Sequence, residues 1–223
     1  MASHKAYIYG IGGMASLFYY IALKNGVSID GFCIEDEYLS GDLICDKPLT
    51  PFSQLKELAG KSEISLYIAV GPIRMNRIRE RIFKEAKEAG FILPNFICDS
   101  VYQVPPFTLG EGNIMLNSGC IHSGVIMGDN NFLSSTVTLG HGVNMGDGNF
   151  FAGGVIVAGE TRIQNRCFFG LGVTVSDNLI IEDESFIGQG CAITKSTEAA
   201  GTYTAPAAIK QKFTSSRFCD LVF

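Results

Sequence analysis

Three histidines stand in the chain, His4, His122 and His141, and imidazole is the side chain best matched to taking a proton near neutral pH. His141 lies between Gly140 and Gly142, where no adjacent side chain blocks access to the ring. Gly159 follows eighteen residues later. A base and an uncovered main-chain N–H at a fixed spacing suit acyl transfer. The base takes the proton of an attacking amine or hydroxyl. The N–H stabilises the oxyanion, a contribution of about 3–4 kcal/mol, and glycine lets a ligand approach the backbone. A thioester donor needs no Ser or Cys nucleophile once it is aligned. On this chemistry His141 is assigned as general base and Gly159 as oxyanion donor. His122 falls at a different turn position and reads as a surface histidine, while His4 lies near the N-terminus.

A second constellation opens the chain. Gly10-Ile11-Gly12-Gly13-Met14-Ala15 fits G-x-G-x-x-A between a strand and a helix, with Glu35 and Asp36 about twenty residues on. Such a loop makes a tight turn, sets a phosphate at a helix N-terminus and brings a carboxylate to a ribose. Gly71 ends a further strand beside it. The unit around the loop is short of a second mononucleotide half, which leaves three readings: a nicotinamide-dinucleotide site, a site for another nucleotide, or a packing domain. The cysteines carry no chemistry of their own. All seven lack paired spacing, and none stands at zinc spacing from a histidine, so no metal is expected and a reducing compartment is.

Two kinds of element position these residues. Residues 5–104 alternate strand and helix: strands over Lys5–Tyr9, Ser28–Ile34, Ser65–Val70 and Phe91–Cys98, helices over Met14–Asn25 and Arg74–Ala89. The second helix turns Ile78, Ile82, Phe83 and Ala86 inward and leaves Arg74, Arg77, Arg81 and Lys84 as a solvated face. This alternation predicts an α/β unit with a parallel sheet.

From Leu109 the period becomes six. Every sixth residue from Leu109 through Met115 and Ile121 to Ile193 is apolar, fifteen positions without a polar one. The chance of that run is on the order of one in 10⁵ at this composition. Small or β-branched residues, among them Val125, Val137, Thr161, Cys167 and Cys191, recur four places after these hydrophobes. Hexapeptide periods are the signature of a parallel β-helix: three strands of six residues close a triangular coil, and stacked coils turn single hydrophobes into interior ladders. His141 and Gly159 then face each other across one coil spacing of about 4.8 Å.

Composition bounds the rest. The 223 residues are 47% hydrophobic and 17% charged, which excludes a disordered chain. A net charge of −5 with no Lys/Arg block argues against nucleic acid as partner. No apolar run is long enough to span a membrane and no signal-peptide pattern opens the chain, so a cytoplasmic protein without a membrane partner is expected.

The unbroken [Leu/Ile/Val/Met]-Gly-x-x-x-x hexapeptides, most specifically residues 133–163 (LSSTVTLGHGVNMGDGNFFAGGVIVAGETRI), resemble those of the left-handed β-helix acyltransferases. With an α/β unit in front, the chain resembles the sialic-acid O-acetyltransferase family, which includes nucleotide-aminosugar N-acetyltransferases. The resemblance implies a Rossmann-like nucleotide-sugar-binding domain over 1–104, a left-handed β-helix catalytic domain over 105–200 and a C-terminal tail over 201–223. It implies acetyl-CoA as cosubstrate, a homotrimer, and N-acetylation of a UDP- or dTDP-linked 4-amino-4,6-dideoxyhexose with His141 as base. O-acetylation of a sialic-acid-like sugar and a non-catalytic β-helix scaffold are the alternatives. By resemblance, Gly12, Gly13, Met14, Glu35, Asp36 and Gly71 hold the nucleotide sugar, and Phe150, Leu171, Gly172, Gly188 and Gln189 contact CoA. The apolar tail, with Phe213, Phe218, Leu221 and Phe223, is expected to pack on a neighbouring subunit. Family members often carry Asp or Glu directly after the catalytic histidine, where this chain has Gly142, Asn directly after the preceding ladder hydrophobe, where it has Ser134, and His where it has Met14.

Overall fold

The computed structural model describes residues 4–210, 212 and 214–222. Its N-terminal half is built on a sheet of five strands: β1 (Lys5–Tyr9), β2 (Gly31–Ile34), β3 (Leu43–Ile44), β4 (Lys47–Pro51) and β5 (Ile64–Ile68), in the order β3-β4-β2-β1-β5. All pairings are parallel except the β3–β4 hairpin at the edge. Both faces are covered, because alternate residues of each strand point to opposite sides. Ala6, Ile8, Phe32 and Tyr67 pack with Ala15, Phe18 and Ala22 of α1 (Gly13–Lys24). Tyr7, Tyr9, Leu66 and Ile68 pack with Phe52 and Leu55 of α2 (Phe52–Ala59) and Ile82 and Phe83 of α3 (Arg77–Glu88).

The C-terminal half is a three-sided stack of two-residue parallel rungs. One face runs from Phe96–Ile97 through Phe132–Leu133, Phe150–Phe151 and Phe186–Ile187 to Thr202–Tyr203, the second from Tyr102–Gln103 to Ala192–Ile193, and the third from Thr108–Leu109 to Ile180–Ile181. Partners within a face are eighteen residues apart, as Thr138↔Ile156 and Asn144↔Arg162 show, up to the last rung, where Phe186 pairs with Thr202. This fits the left-handed β-helix expected from the hexapeptide period. The hydrophobes at the six-residue period line the interior, with Ile121, Leu133, Leu139, Phe151, Phe169 and Ile187 fully buried. Positions four places later are buried too, apart from half-buried Leu179, but one column of them is polar. Asn113, Asn131 and Asn149 stack, and each side-chain Oδ1 accepts the main-chain N–H one coil on, at 2.9 Å for Asn131 and Asn149 and 2.8 Å for Cys167. Their amide groups donate across the corner, as from Asn131 to Gly146 O at 3.0 Å. An asparagine ladder satisfies the buried backbone where the chain turns.

Two sequence expectations are corrected here. The stretch expected to form a fourth α/β strand, 91–98, gives the sheet a single bridge at Ile92 to Ser65, and its remainder, Phe96–Ile97, is the first rung of the prism, paired with Ile114–Met115. Apolar run length alone does not say which sheet a strand joins. The second helix starts at Arg77, because Arg74, Met75 and Asn76 take left-handed φ of 51°, 50° and 62°. Its basic side is exposed, as expected, and carries ion pairs. Arg77 pairs with Glu184, Arg81 with Glu35 and Glu85, and Lys84 with Glu80. Arg79, fully buried, points into the prism and donates to Asn130 O at 3.0 Å and Asn149 O at 3.5 Å, with its guanidinium 5.6 Å from the Phe132 ring centroid. Asn76 donates to Cys167 O at 3.1 Å. α3 therefore straps the α/β unit to the prism, while Phe18 of α1 meets Phe96 edge-on at 5.0 Å.

Beyond the last rung lies α4 (Ser215–Val222). Phe213 and Phe223, expected on a neighbouring subunit, lie outside the described residues.

Candidate active site

The corner between the second and third faces carries His141. Its chain positions are set by the rungs on either side, Thr138–Leu139 and Asn144–Met145, whose inward Leu139 and Met145 are buried. The ring is exposed and folds over Gly159 of the next coil: a Cβ at residue 159 would lie 2.7 Å from both imidazole nitrogens and closer still to Cε1. Gly140 is equally constrained, since a Cβ there would come within 2.7 Å of the Gly159 nitrogen. Among the described residues the Gly159 N–H donates to no other group, whereas its neighbours Ala158 and Glu160 donate to Val175 O and His141 O at 2.9 Å. The imidazole and a residue with a spare N–H are thus adjacent, as the eighteen-residue spacing predicts.

A groove of about 470 Å³ opens beside this corner on the third face, with Gly142, Asn144, Glu160 and Arg162 among its walls. Gly142 has φ of +65°, and a Cβ there would strike the Glu160 carboxylate, 2.7 Å from its carboxyl carbon and 3.0 Å from Oε2. The residue after the histidine has no side chain, and a carboxylate from the next coil fills that space. Glu160 was not singled out from the sequence. The signal that finds it is the same addition of eighteen, applied to Gly142.

The residues expected to hold CoA divide. Leu171 and Gly172 stack one coil below Gln189 and Gly190 at the corner between the first and second faces, with Leu171 60% exposed. Gly188 leads into that corner, its N–H donating to Tyr203 O at 2.8 Å. The second face, carrying Thr138, exposed Ile156 and Thr174, separates this corner from His141. Phe150 is set apart. Its ring is stacked between Phe132 and Phe168, at 5.2 and 5.9 Å, and 7% exposed.

The residues expected to hold a nucleotide lie at the carboxyl ends of β1, β2 and β5, neighbours in the sheet. Gly12 caps α1 with no side-chain hydrogen bond, and Gly71 stands against Met14, whose Cε would be 3.6 Å from a Cβ at residue 71. Glu35 and Asp36 border a separate cleft of about 650 Å³ with Lys56, Arg74 and Arg81. Both carboxylates are engaged: Glu35 with Arg81 at 2.8 Å, Asp36 with the Ser53 hydroxyl at 2.7 Å. Burial, and then the Glu35 carboxylate, push the Tyr9 phenol's pKa well up, so it stays protonated. Among the described residues no cluster of three His, Cys, Asp or Glu side chains is placed to hold a metal, and no helix is long and apolar enough to cross a membrane.

No family model matches the chain, and no curated protein does. Solved structures match over nearly its whole length. A mutant of perosamine N-acetyltransferase from Caulobacter crescentus, in complex with CoA and GDP-perosamine, is 22% identical, covering 93% of this chain and 97% of that one with a TM-score of 0.82. The chain has the fold of the hexapeptide-repeat acetyltransferases. The acetyltransferase domain of PglB from Neisseria gonorrhoeae, in complex with acetyl coenzyme A, is also 22% identical, at a TM-score of 0.75 over 85% of this chain and 92% of that one. WeeI from Acinetobacter baumannii is 19% identical at 0.76, over 90% and 96%.

Proposed function

We propose that the protein is an acetyl-CoA-dependent N-acetyltransferase acting on a nucleotide-linked amino sugar, a UDP- or dTDP-4-amino-4,6-dideoxyhexose, and that it works as a cytoplasmic homotrimer. The observation that carries the reading is the exposed imidazole of His141 lying against Gly159, whose N–H is spare. Structures of this fold that hold CoA with GDP-perosamine, and one that holds acetyl coenzyme A, support it.

In this reading His141 accepts a proton from the sugar amine as its nitrogen forms a bond to the thioester carbonyl carbon. The Gly159 N–H donates to the oxygen that becomes negative. Breaking the C–S bond releases CoA, whose sulfur takes the proton back from the imidazolium. The Gly12–Met14 loop and Gly71 hold the nucleotide, with the unspent N–H groups of the first α1 turn toward phosphate. Glu35 and Asp36 bear on its ribose or base only if they exchange their present partners. Leu171, Gly172, Gly188 and Gln189 contact the CoA arm. Phe150, covered on both faces of its ring, would act there by holding the first face flat.

The test is CoA release from acetyl-CoA against UDP-, dTDP- and GDP-linked amino sugars, with product mass recorded, for wild type and His141→Asn. Turnover on a 4-amino sugar that falls by about 10²–10⁴ in the variant is expected for loss of a general base. Undiminished turnover in the variant removes His141 from the role. A base-labile product identifies an ester, hence O-acetylation, and no turnover on any acceptor refutes the reading.

A further inference from the structure

A histidine that takes a proton during the reaction becomes an imidazolium, and a nearby carboxylate stabilises that form and holds the ring. The residue following His141 supplies none, since Gly142 has no side chain. The space its side chain would enter is filled from the next coil by the carboxylate of Glu160, which stands directly after Gly159 and donates its own N–H to His141 O at 2.9 Å. A side chain at 142 and Glu160 in this position exclude each other. We propose that Glu160 is a positioning residue for His141, holding at residue 160 the negative charge that a carboxylate at residue 142 would bring to the same corner. The proposal rests on the acetyl-transfer reading above.

The other charged groups facing the corner are Arg162, in the same groove wall, and Asp177, the residue one coil beyond Gly159, whose Oδ2 accepts the Asn178 amide at 2.9 Å. Arg162 is of the wrong sign to favour an imidazolium. Asp177 lies two coils from His141, about 9.6 Å by rung spacing, against one coil for Glu160. No ion pair joins Glu160 to the ring in the free chain among the described residues, so the coupling acts across the corner rather than through a direct contact.

The decisive measurement is the titration of ¹⁵N-labelled histidine rings by NMR in the full chain, with His141 identified from His141→Asn. In Glu160→Gln the His141 midpoint should fall while those of His4 and His122 stay in place. The acid limb of kcat/KM should move to lower pH by the same amount, and kcat should fall about tenfold with the KM for acetyl-CoA within twofold. Glu160→Asp should recover part of the rate. Glu160→Ala combined with Gly142→Asp should restore both midpoint and rate, because the carboxylate then returns from residue 142 to the vacated space. An unmoved His141 midpoint overturns the proposal whether or not turnover is seen, and so does a moved midpoint with unchanged kcat. Absence of turnover in the wild type refutes the acetyl-transfer reading alone, and the titration still decides whether Glu160 acts on His141.

Discussion

The imidazole of His141 covers the α-carbon of Gly159, one coil away in the prism, so that residue 159 has no room for a side chain. Gly159→Ala should therefore displace the ring while leaving the rungs intact. The expected result is a loss of about 10²-fold in kcat, the order found when a base or oxyanion donor is misplaced. The far-ultraviolet circular dichroism spectrum should not change. A variant as active as wild type would show that the ring does not work from this position.

Asn131 is buried within a ladder in which each asparagine carries the coil above it. Asn131→Val keeps an apolar filling like that of Val137, which is also buried, yet strips the partners from the Asn149 N–H and the Gly146 carbonyl. Leaving buried backbone groups unpaired costs about 1–3 kcal/mol each, so a clear drop in Tm is expected by calorimetry. Val should do no better than Ala here, unlike at an apolar column.

Arg79 tests the strap between the two halves. Burial pushes its pKa down to about 9, and main-chain carbonyls of the prism are what it donates to. Arg79→Ala should cost about 3 kcal/mol, through lost packing and carbonyls left without a donor. The drop in the midpoint of urea unfolding measures it.

Glu184 gives that same contact a pH dependence. Its hydrogen bond with Arg77, and then that with Arg166, hold its pKa below the ordinary carboxylate value. A group lowered in the folded state contributes stability that is complete above the unfolded value of about 4.3 and is lost as pH falls through the folded one. Glu184→Gln should thus melt below wild type at neutral pH and converge with it toward pH 3. Parallel Tm curves would contradict the sign.

Thiol reactivity should divide the seven cysteines. Burial pushes Cys167 up to about 12 and Cys33 well above the ordinary value. Cys98 and Cys191 are buried as well, and Cys219 is exposed. Native protein should show one fast thiol toward Ellman's reagent, lost in Cys219→Ser, with half-buried Cys45 and Cys120 slower and the four buried thiols reacting only after unfolding.

The prism and the pairing of His141 with Gly159 were legible in the amino-acid sequence. A repeat of six residues closing in eighteen makes sequence separation a direct measure of distance, because each coil stacks on the last in register. Leu133, Phe151 and Phe169 could be placed in the interior for that reason. Where the period stops, so does this kind of reading. Whether Phe96–Ile97 joins the α/β sheet or the prism depends on which edge is free to accept it. Arg79 on α3 was not singled out from the sequence, and its part in joining the two halves is seen only with the helix laid against the prism. That the Glu160 carboxylate fills the space beside Gly142 was shown by the tertiary structure, since only stacked coils bring side chains of one turn into the empty space above a glycine of another.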